Sequence, residues 1–341
     1  MPIQVGLIGG GNITETHARA ARAISGVEIA AIHGSNADKV NQLCREHGGK
    51  AYQDFSAFLM HRPMDLVVIG SPTHLHAEQG IAAAKKGLHV LTDKAIDVST
   101  ERTDALIEAT DHAQVKLGVI FQDRTQPEIR QLKNWIDQGV LGKILFVDAK
   151  VKWWRPAEYY SDSRWRGAPY EGGGGMLINH AIHTLDLLLW LFGDVKKLQA
   201  NLTTKLHKVP FEDTAMALLE FANRTSGIFQ ATTAAYPGYP RRVEITGTEG
   251  TVILEHDRVI AADLRNPPPG MKTVAAPDTN ESASSPVVSD VRGHQAILED
   301  FLKAIKENGT PLCDGREGRR SVALIEAMYR ASRLSGMKVA L

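Results

Sequence analysis

The chain has 341 residues, with 39 basic and 39 acidic side chains and a formal net charge of zero. That length supports about two domains, each with its own core, and the balanced charge argues against a nucleic acid or an anionic membrane surface as partner. Two cysteines, Cys44 and Cys313, give neither a metal-ligand spacing nor a disulfide framework, which fits a reducing, cytoplasmic setting.

Taken in order, residues 1–122 alternate short apolar strands with helical segments. Strands are expected at Ile3–Ile8, Glu28–His33, Leu66–Ile69, His89–Leu91 and Lys116–Val119, with helices over 12–24, 37–47, 75–86 and 99–112. With a strand opening at Ile3 there is no room for a secretory leader, and the longest apolar run, Leu187 to Phe192, is too short for a membrane span. The alternation predicts a doubly wound parallel sheet of Rossmann type, with ligands at the carboxyl ends of its strands. After residue 123 the pattern changes. A helix over 126–138 precedes a glycine turn at Gly139 and Gly142, a strand over 144–153 and a long helix over 176–192. Two hairpin-like units follow, 214–221 with 227–235 and 241–246 with 251–255. Residues 263–292 read as an exposed Pro- and Ser-rich excursion, and helices over 293–307 and 316–335 close the chain. The fold class expected is α/β: domain 1–122 of Rossmann type and domain 123–341 of α+β type. The second carries a large, mostly antiparallel sheet, and a C-terminal helix is free to pack back on the first.

The first strand runs into Gly9-Gly10-Gly11-Asn12-Ile13-Thr14. Gly9 suits a tight turn, Gly11 close approach of backbone to phosphate, and a helix starting near Asn12 would point free N–H groups at the anion. A second informative stretch, Gly87-Leu88-His89-Val90-Leu91-Thr92-Asp93-Lys94, ends a buried strand on an acid and a lysine.

These segments resemble one family. Residues 87–94 are similar to its Gly-x-His-Val-x-x-Glu-Lys-Pro segment, and Ser71-Pro72-Thr73-His74-Leu75-His76 to its Pro-Asn-x-x-His turn. Trp165-Arg166-Gly167, Gly173-Gly174-Gly175 and Asn179-His180-Ala181-Ile182-His183 resemble its second-domain signature; 299–305 and 314–320 resemble its closing helices. The chain is identified on these residues as a member of the glucose–fructose oxidoreductase / inositol dehydrogenase (Gfo/Idh/MocA) family. It departs from the pattern at Thr14, where a third small residue is usual, at Ala95, where proline is usual, and at Asn179, where many members carry aspartate.

The resemblance implies an NAD(P)-dependent dehydrogenase acting on a secondary hydroxyl, with His183 as base and Lys94 beside the same hydroxyl. The physics agrees: imidazole accepts a proton near neutrality, and an ammonium stabilises a developing alkoxide. Asn179, four residues before His183, orients but brings no charge, so the base is expected to titrate lower than in aspartate-bearing relatives. The resemblance also implies a cofactor-holding set of Gly9, Gly11, Asn12, Ile13, Ser71, Pro72, Thr73, His76, Asp93, Lys94, Gln122, Trp165 and Arg166. Four histidines, His74, His76, His180 and His183, lack the carboxylate or cysteine that would complete a familiar zinc spacing, so no metal is expected.

In NAD enzymes an acid about 20 residues past the glycines binds the adenine ribose. Here Gly34 falls there, 23 residues past Gly11, followed by Ser35, Asn36 and Lys39, which suit a 2′-phosphate. NADP is therefore expected in preference to NAD. Trp153-Trp154-Arg155 and Tyr159-Tyr160 concentrate aromatic faces and a cation, which suit a sugar-like substrate, so Arg155, Tyr160, Asn179 and His183 are its expected contacts. The resemblance further implies a homodimer or homotetramer. Two other functions compete: a glycoside hydrolase of the same fold that oxidises its substrate transiently, and a non-catalytic cofactor-binding regulator.

Overall fold

The computed structural model describes residues 2–161, 175–269, 290–334 and 339–340. The chain forms two compact units, residues 1–122 with 287–322 and residues 123–286 with 323–341.

In the first unit the parallel sheet has the order β3-β2-β1-β4-β5-β6. Its strands are β1 (Ile3–Ile8), β2 (Val27–His33), β3 (Lys50–Tyr52), β4 (Leu66–Ile69), β5 (His89–Asp93) and β6 (Leu117–Ile120). The reversal between β1 and β4 is the topological switch point of a doubly wound sheet, where a dinucleotide binds. Strands covered on both faces need apolar runs, and β4, β6 and the Val5–Ile8 part of β1 supply them. Helices α1 (Asn12–Arg22), α2 (Ala37–His47), α3 (Phe55–Leu59), α4 (His76–Ala84) and α5 (Thr100–His112) make the crossovers. Ile297, Leu298, Phe301 and Leu302 of helix α9 (Arg292–Lys306) complete this core together with Val5, Leu7, Leu66 and Leu91.

The second unit opens with α6 (Pro127–Asp137) and holds an eight-stranded sheet, order β13-β12-β11-β7-β10-β9-β8-β14. Its strands are β7 (Ile144–Lys152), β8 (Val195–Thr203), β9 (Thr214–Phe221), β10 (Ser226–Thr232), β11 (Arg242–Gly247), β12 (Gly250–Glu255), β13 (Arg258–Leu264) and β14 (Val339–Ala340). Among the described residues of this sheet, only the β7–β10 pair is parallel. Helix α8 (Ile182–Phe192), rich in leucine and enclosed accordingly, meets the sheet where Phe192 packs on Phe221 of β9, ring centroids 5.6 Å apart. The face opposite this contact exposes Phe146, Met216, Leu218 and Ile228, whereas Phe221 is buried. Among the described residues the remaining helices are α7 (Glu158–Ser161) and α10 (Gly315–Arg333). The expected excursion lies largely in 270–289, outside the described residues. Among the described residues no helix is long and apolar enough to cross a membrane.

Among the described residues, six elements were not expected from the sequence: β3, α3, α7, β8, β13 and β14. β3 is a three-residue edge strand, too short for a periodic signal. In β8 a register shift between Val195 and Lys197 breaks the two-residue alternation that marks a half-buried strand. The long helix also differs. It starts as a π-helical turn, Leu177–Ala181, before becoming α8. Such wider turns concentrate at functional sites because they re-aim side chains.

Candidate active site

The glycine turn is built by close backbone approach. Gly9 has φ +129°, its N–H donates to the His33 carbonyl at 2.7 Å, and a Cβ there would meet the Gly70 carbonyl oxygen at 2.7 Å. A side chain is thus barred by conformation and by space. Gly11 is the N-cap of α1 and makes no side-chain cap, so first-turn N–H groups are left to another acceptor. A Cβ on Gly11 would meet nothing within 4 Å, so open space lies in front of the helix start. An anion is what such a cradle fits. Asn12 and Ile13 open the helix, and Thr14 is buried with no hydrogen-bond partner for its hydroxyl.

At the tip of β2, Gly34 is forced by packing: a Cβ would lie 2.9 Å from both the Gly9 carbonyl oxygen and Val40 Cγ2. No acid can stand at this position. Ser35, Asn36 and Lys39 are exposed, and the Asn36 Oδ1 accepts from the Lys39 N–H at 3.0 Å as the cap of α2.

Two loops after β4 and β5 are tied together by His76. Its Nδ1 lies 2.8 Å from the Ala95 carbonyl and its Nε2 2.8 Å from the Ser71 carbonyl, with the ring fully buried. The sequence expects His76 among the cofactor contacts; the structure buries its ring and uses both nitrogens to hold the carbonyls of Ser71 and Ala95. Ser71 Oγ donates to Gln79 Oε1 at 2.6 Å, and Thr73 is buried just after Pro72. Asp97, unremarked in the sequence, anchors the same loop: it accepts from the Ala77 and Val98 N–H groups at 2.8 and 2.7 Å and from Arg102 Nε at 2.7 Å. Asp93 and Lys94 are half-buried at the end of β5.

His17 on α1 was also missed. It is 3% exposed, neither ring nitrogen has a hydrogen-bond partner, and a Cβ on Gly70 would meet its Nδ1 at 3.1 Å. Burial pulls its pKa down to about 4, against the opposing charge of Asp93.

In the second unit the π-helical turn is set by Glu212. Its carboxylate accepts from the Leu177 N–H at 2.9 Å and from the Tyr329 hydroxyl at 2.6 Å. A Cβ on Gly175 would collide with that carboxylate, which explains one glycine of the run. Burial lifts the Glu212 carboxyl above the usual range, against these hydrogen bonds. Asn179 Nδ2 donates to the Gly175 carbonyl at 3.1 Å, and Asn179 and His183 are both half-buried.

The aromatic residues form a packed cluster. The Arg155 guanidinium lies over Trp153 at 5.3 Å and over Tyr159 at 5.5 Å, and Nη1 donates to the Trp154 carbonyl at 2.8 Å. Tyr160 bonds Thr233 Oγ1 at 2.7 Å, and burial pushes its hydroxyl up to about 12. Arg155 and Tyr160, expected against substrate, are thus inside the cluster, while Trp165 and Arg166 lie outside the described residues.

Gln122, expected beside the cofactor, starts a single turn, Gln122–Thr125, that follows β6. The next residue, Asp123, is buried and pairs with Arg241, which also pairs with Asp257. Arg124 grips Asp186 of α8 with Nε at 2.8 Å and Nη2 at 2.7 Å, both side chains 1% exposed. The sequence signal for the Asp123–Arg241 pair was an acidic residue three positions after the last strand of the parallel sheet.

Comparison with known proteins agrees with this geometry. Residues 3–121 match the profile of an oxidoreductase family with an NAD-binding Rossmann fold, and 129–253 match the Gfo/Idh/MocA C-terminal domain. The chain is 26% identical to myo-inositol 2-dehydrogenase of Thermotoga maritima, covering 94% of each chain. It is 28% identical to levoglucosan dehydrogenase of Pseudarthrobacter phenanthrenivorans, covering 95% of this chain and 94% of the relative. The WlbA dehydrogenase of Bordetella pertussis, solved with NADH and UDP-GlcNAcA, superposes with a TM-score of 0.91 at 29% identity, covering 100% of this chain and 99% of the other. With a nucleotide-binding glycine turn, a mostly antiparallel second sheet and both profiles matched in order, this chain belongs to the Gfo/Idh/MocA family of NAD-binding oxidoreductases.

Proposed function

We propose that the protein is an NAD(P)-dependent dehydrogenase of a sugar, sugar derivative or cyclitol, with His183 as the base and Lys94 as its electrostatic partner. The observation that carries this reading is the glycine turn, whose open cradle at Gly11 fits a pyrophosphate. The cofactor supplies a hydride acceptor. This chain's residues do the rest. Gly9, Gly11, Asn12 and Ile13 hold phosphate, and the Ser71–Thr73 and Asp93–Lys94 loops, braced by His76, fix the strand ends around it. His183 takes the hydroxyl proton at its imidazole, and the Lys94 ammonium lowers the energy of the alkoxide left behind. The inositol, levoglucosan and sugar-nucleotide relatives support this substrate class.

The test is a panel of sugars, cyclitols and sugar nucleotides read by the absorbance of reduced nicotinamide. With the substrate found, His183→Asn is expected to lower kcat by about 10²–10⁴-fold while leaving the cofactor Kd unchanged. Lys94→Met should lose a comparable factor. Wild-type turnover in His183→Asn would defeat the assignment.

The proposal extends to NADP in preference to NAD. It is supported by the acid-free tip of β2, where Gly34 admits no side chain and Ser35, Asn36 and Lys39 offer donors. Without the ribose-binding carboxylate, NAD forgoes about 1.5–3 kcal/mol, or about 10–100-fold in Kd. Fluorescence titration with each cofactor decides it: a Kd for NAD equal to or below that for NADP refutes the preference. Self-association as a dimer or tetramer is proposed through the exposed strip of Phe146, Met216, Leu218 and Ile228.

A further inference from the structure

Asn179 leaves His183 without the aspartate that its own helix would carry in many relatives, yet a carboxylate reaches the same helix from elsewhere. Arg124 is clamped by two hydrogen bonds to Asp186, which sits three residues after His183, on the adjacent position of the helix surface. The residue before Arg124 is Asp123. The clamp therefore ties the chain next to Asp123 to the turn of α8 that carries His183. Asp123 is buried and fixed on its other side by Arg241, whose Nη2 also donates to the His256 carbonyl at 3.1 Å and which pairs in addition with Asp257. With both acids ionised, two carboxylates around one guanidinium leave a net negative charge.

We propose that Asp123 is a positioning residue for His183: its carboxylate, held beside α8 by Arg241 and by the Arg124–Asp186 clamp, stabilises the imidazolium formed when His183 takes a proton. This rests on His183 as base and deepens that reading. The proximity has an electrostatic signature. Burial pushes the Asp123 carboxyl up, but the charges of Arg241 and then His183 more than offset it and hold it below the usual carboxylate range. Coulombic coupling is mutual, so a carboxylate favoured by an imidazolium favours that imidazolium equally. Among the described residues of this unit, the charged and titratable groups tied to the two elements are Arg241, His256 and Asp257 on one side, Arg124 and Asp186 on the other, and His180 on the helix itself. Asp257 contributes less charge as pH falls, because burial lifts its carboxyl. The expectation that the base titrates low, drawn from Asn179 alone, is therefore replaced by one in which Asp123 supplies the missing charge.

The test is histidine-selective NMR titration of the full chain, with His183→Asn used to assign the resonance. Asp123→Asn is expected to lower the His183 midpoint by roughly one pH unit, to move the acid limb of kcat/KM by the same amount, and to leave KM at the pH plateau and the cofactor Kd unchanged; Asp123→Glu should restore most of the shift. Should Asp123→Asn fail to fold, the wild type still answers. The Asp123 carboxyl carbon must show a second inflection at the His183 midpoint. An unmoved midpoint in folded Asp123→Asn, or no second inflection in wild type, overturns the proposal. Failure of the base reading looks different: turnover then survives in His183→Asn while the coupling of the two resonances persists.

Discussion

Arg124→Ala is expected to lower the stability of the second unit by about 3–5 kcal/mol, among the largest effects of any single truncation there. Arg124 and Asp186 are each 1% exposed and joined by two parallel hydrogen bonds of 2.8 and 2.7 Å. The guanidinium also lies over the Trp190 ring at 5.7 Å. Truncation removes the guanidinium that faces the buried Asp186 carboxylate in a leucine-rich helix. The damage thus comes mostly from the stranded charge, not from the lost attraction. Guanidinium chloride unfolding followed by tryptophan fluorescence reads it. Arg124→Lys should lose part of the same amount, because an ammonium is a point charge and cannot match the fork. The double variant Arg124→Met with Asp186→Leu should recover most of the loss. If the double variant is as unstable as the sum of the single ones, the stranded-charge account fails.

The second large effect is an acid sensitivity written into the first unit. His17 has its pKa lowered from 6.5 to about 4, by burial first and with His294 and His76 adding to it against Asp93. The folded protein therefore binds a proton less readily than the unfolded chain does. Stability from this group is complete above pH 6.5 and is lost as pH falls towards about 4, because the unfolded state takes up the proton first. The shift corresponds to about 3 kcal/mol. His17→Leu, which fills similar space without titrating, should flatten this limb: chemical denaturation at pH 6.5 and at pH 4.5 should show a smaller decline than in wild type. Parallel declines in the two proteins would rule out His17 as the acid-labile group. His17 lies against Gly70 at the switch point, so the same protonation should also loosen the glycine turn and weaken cofactor binding over that range.

What was legible in the sequence follows a physical line. β1, β4 and β6 came through as apolar runs because parallel strands covered on both faces admit little else. Gly9 and Gly11 were legible because a tight turn and a close approach act within a few residues of chain. The hairpins β9–β10 and β11–β12 carried their own turn signals. The Asn179–His183 spacing was read as part of a uniform α-helix. The structure begins that helix with a wider turn, since Glu212, a residue of another segment, holds the Leu177 N–H.

Local pattern by itself determined the doubly wound sheet, the mostly antiparallel second sheet and the glycine turn, while the family resemblance singled out Lys94 and His183 for chemistry. Only the tertiary structure decided what stands behind them. His76 bridges carbonyls at positions 71 and 95; Asp123 meets Arg241 across 118 residues of chain, and Arg124 meets Asp186 across 62. Burial turns such meetings into chemistry. A carboxylate or an imidazole taken out of water must either find its opposite or change its proton affinity, and which of these happens depends on neighbours that are distant in the chain.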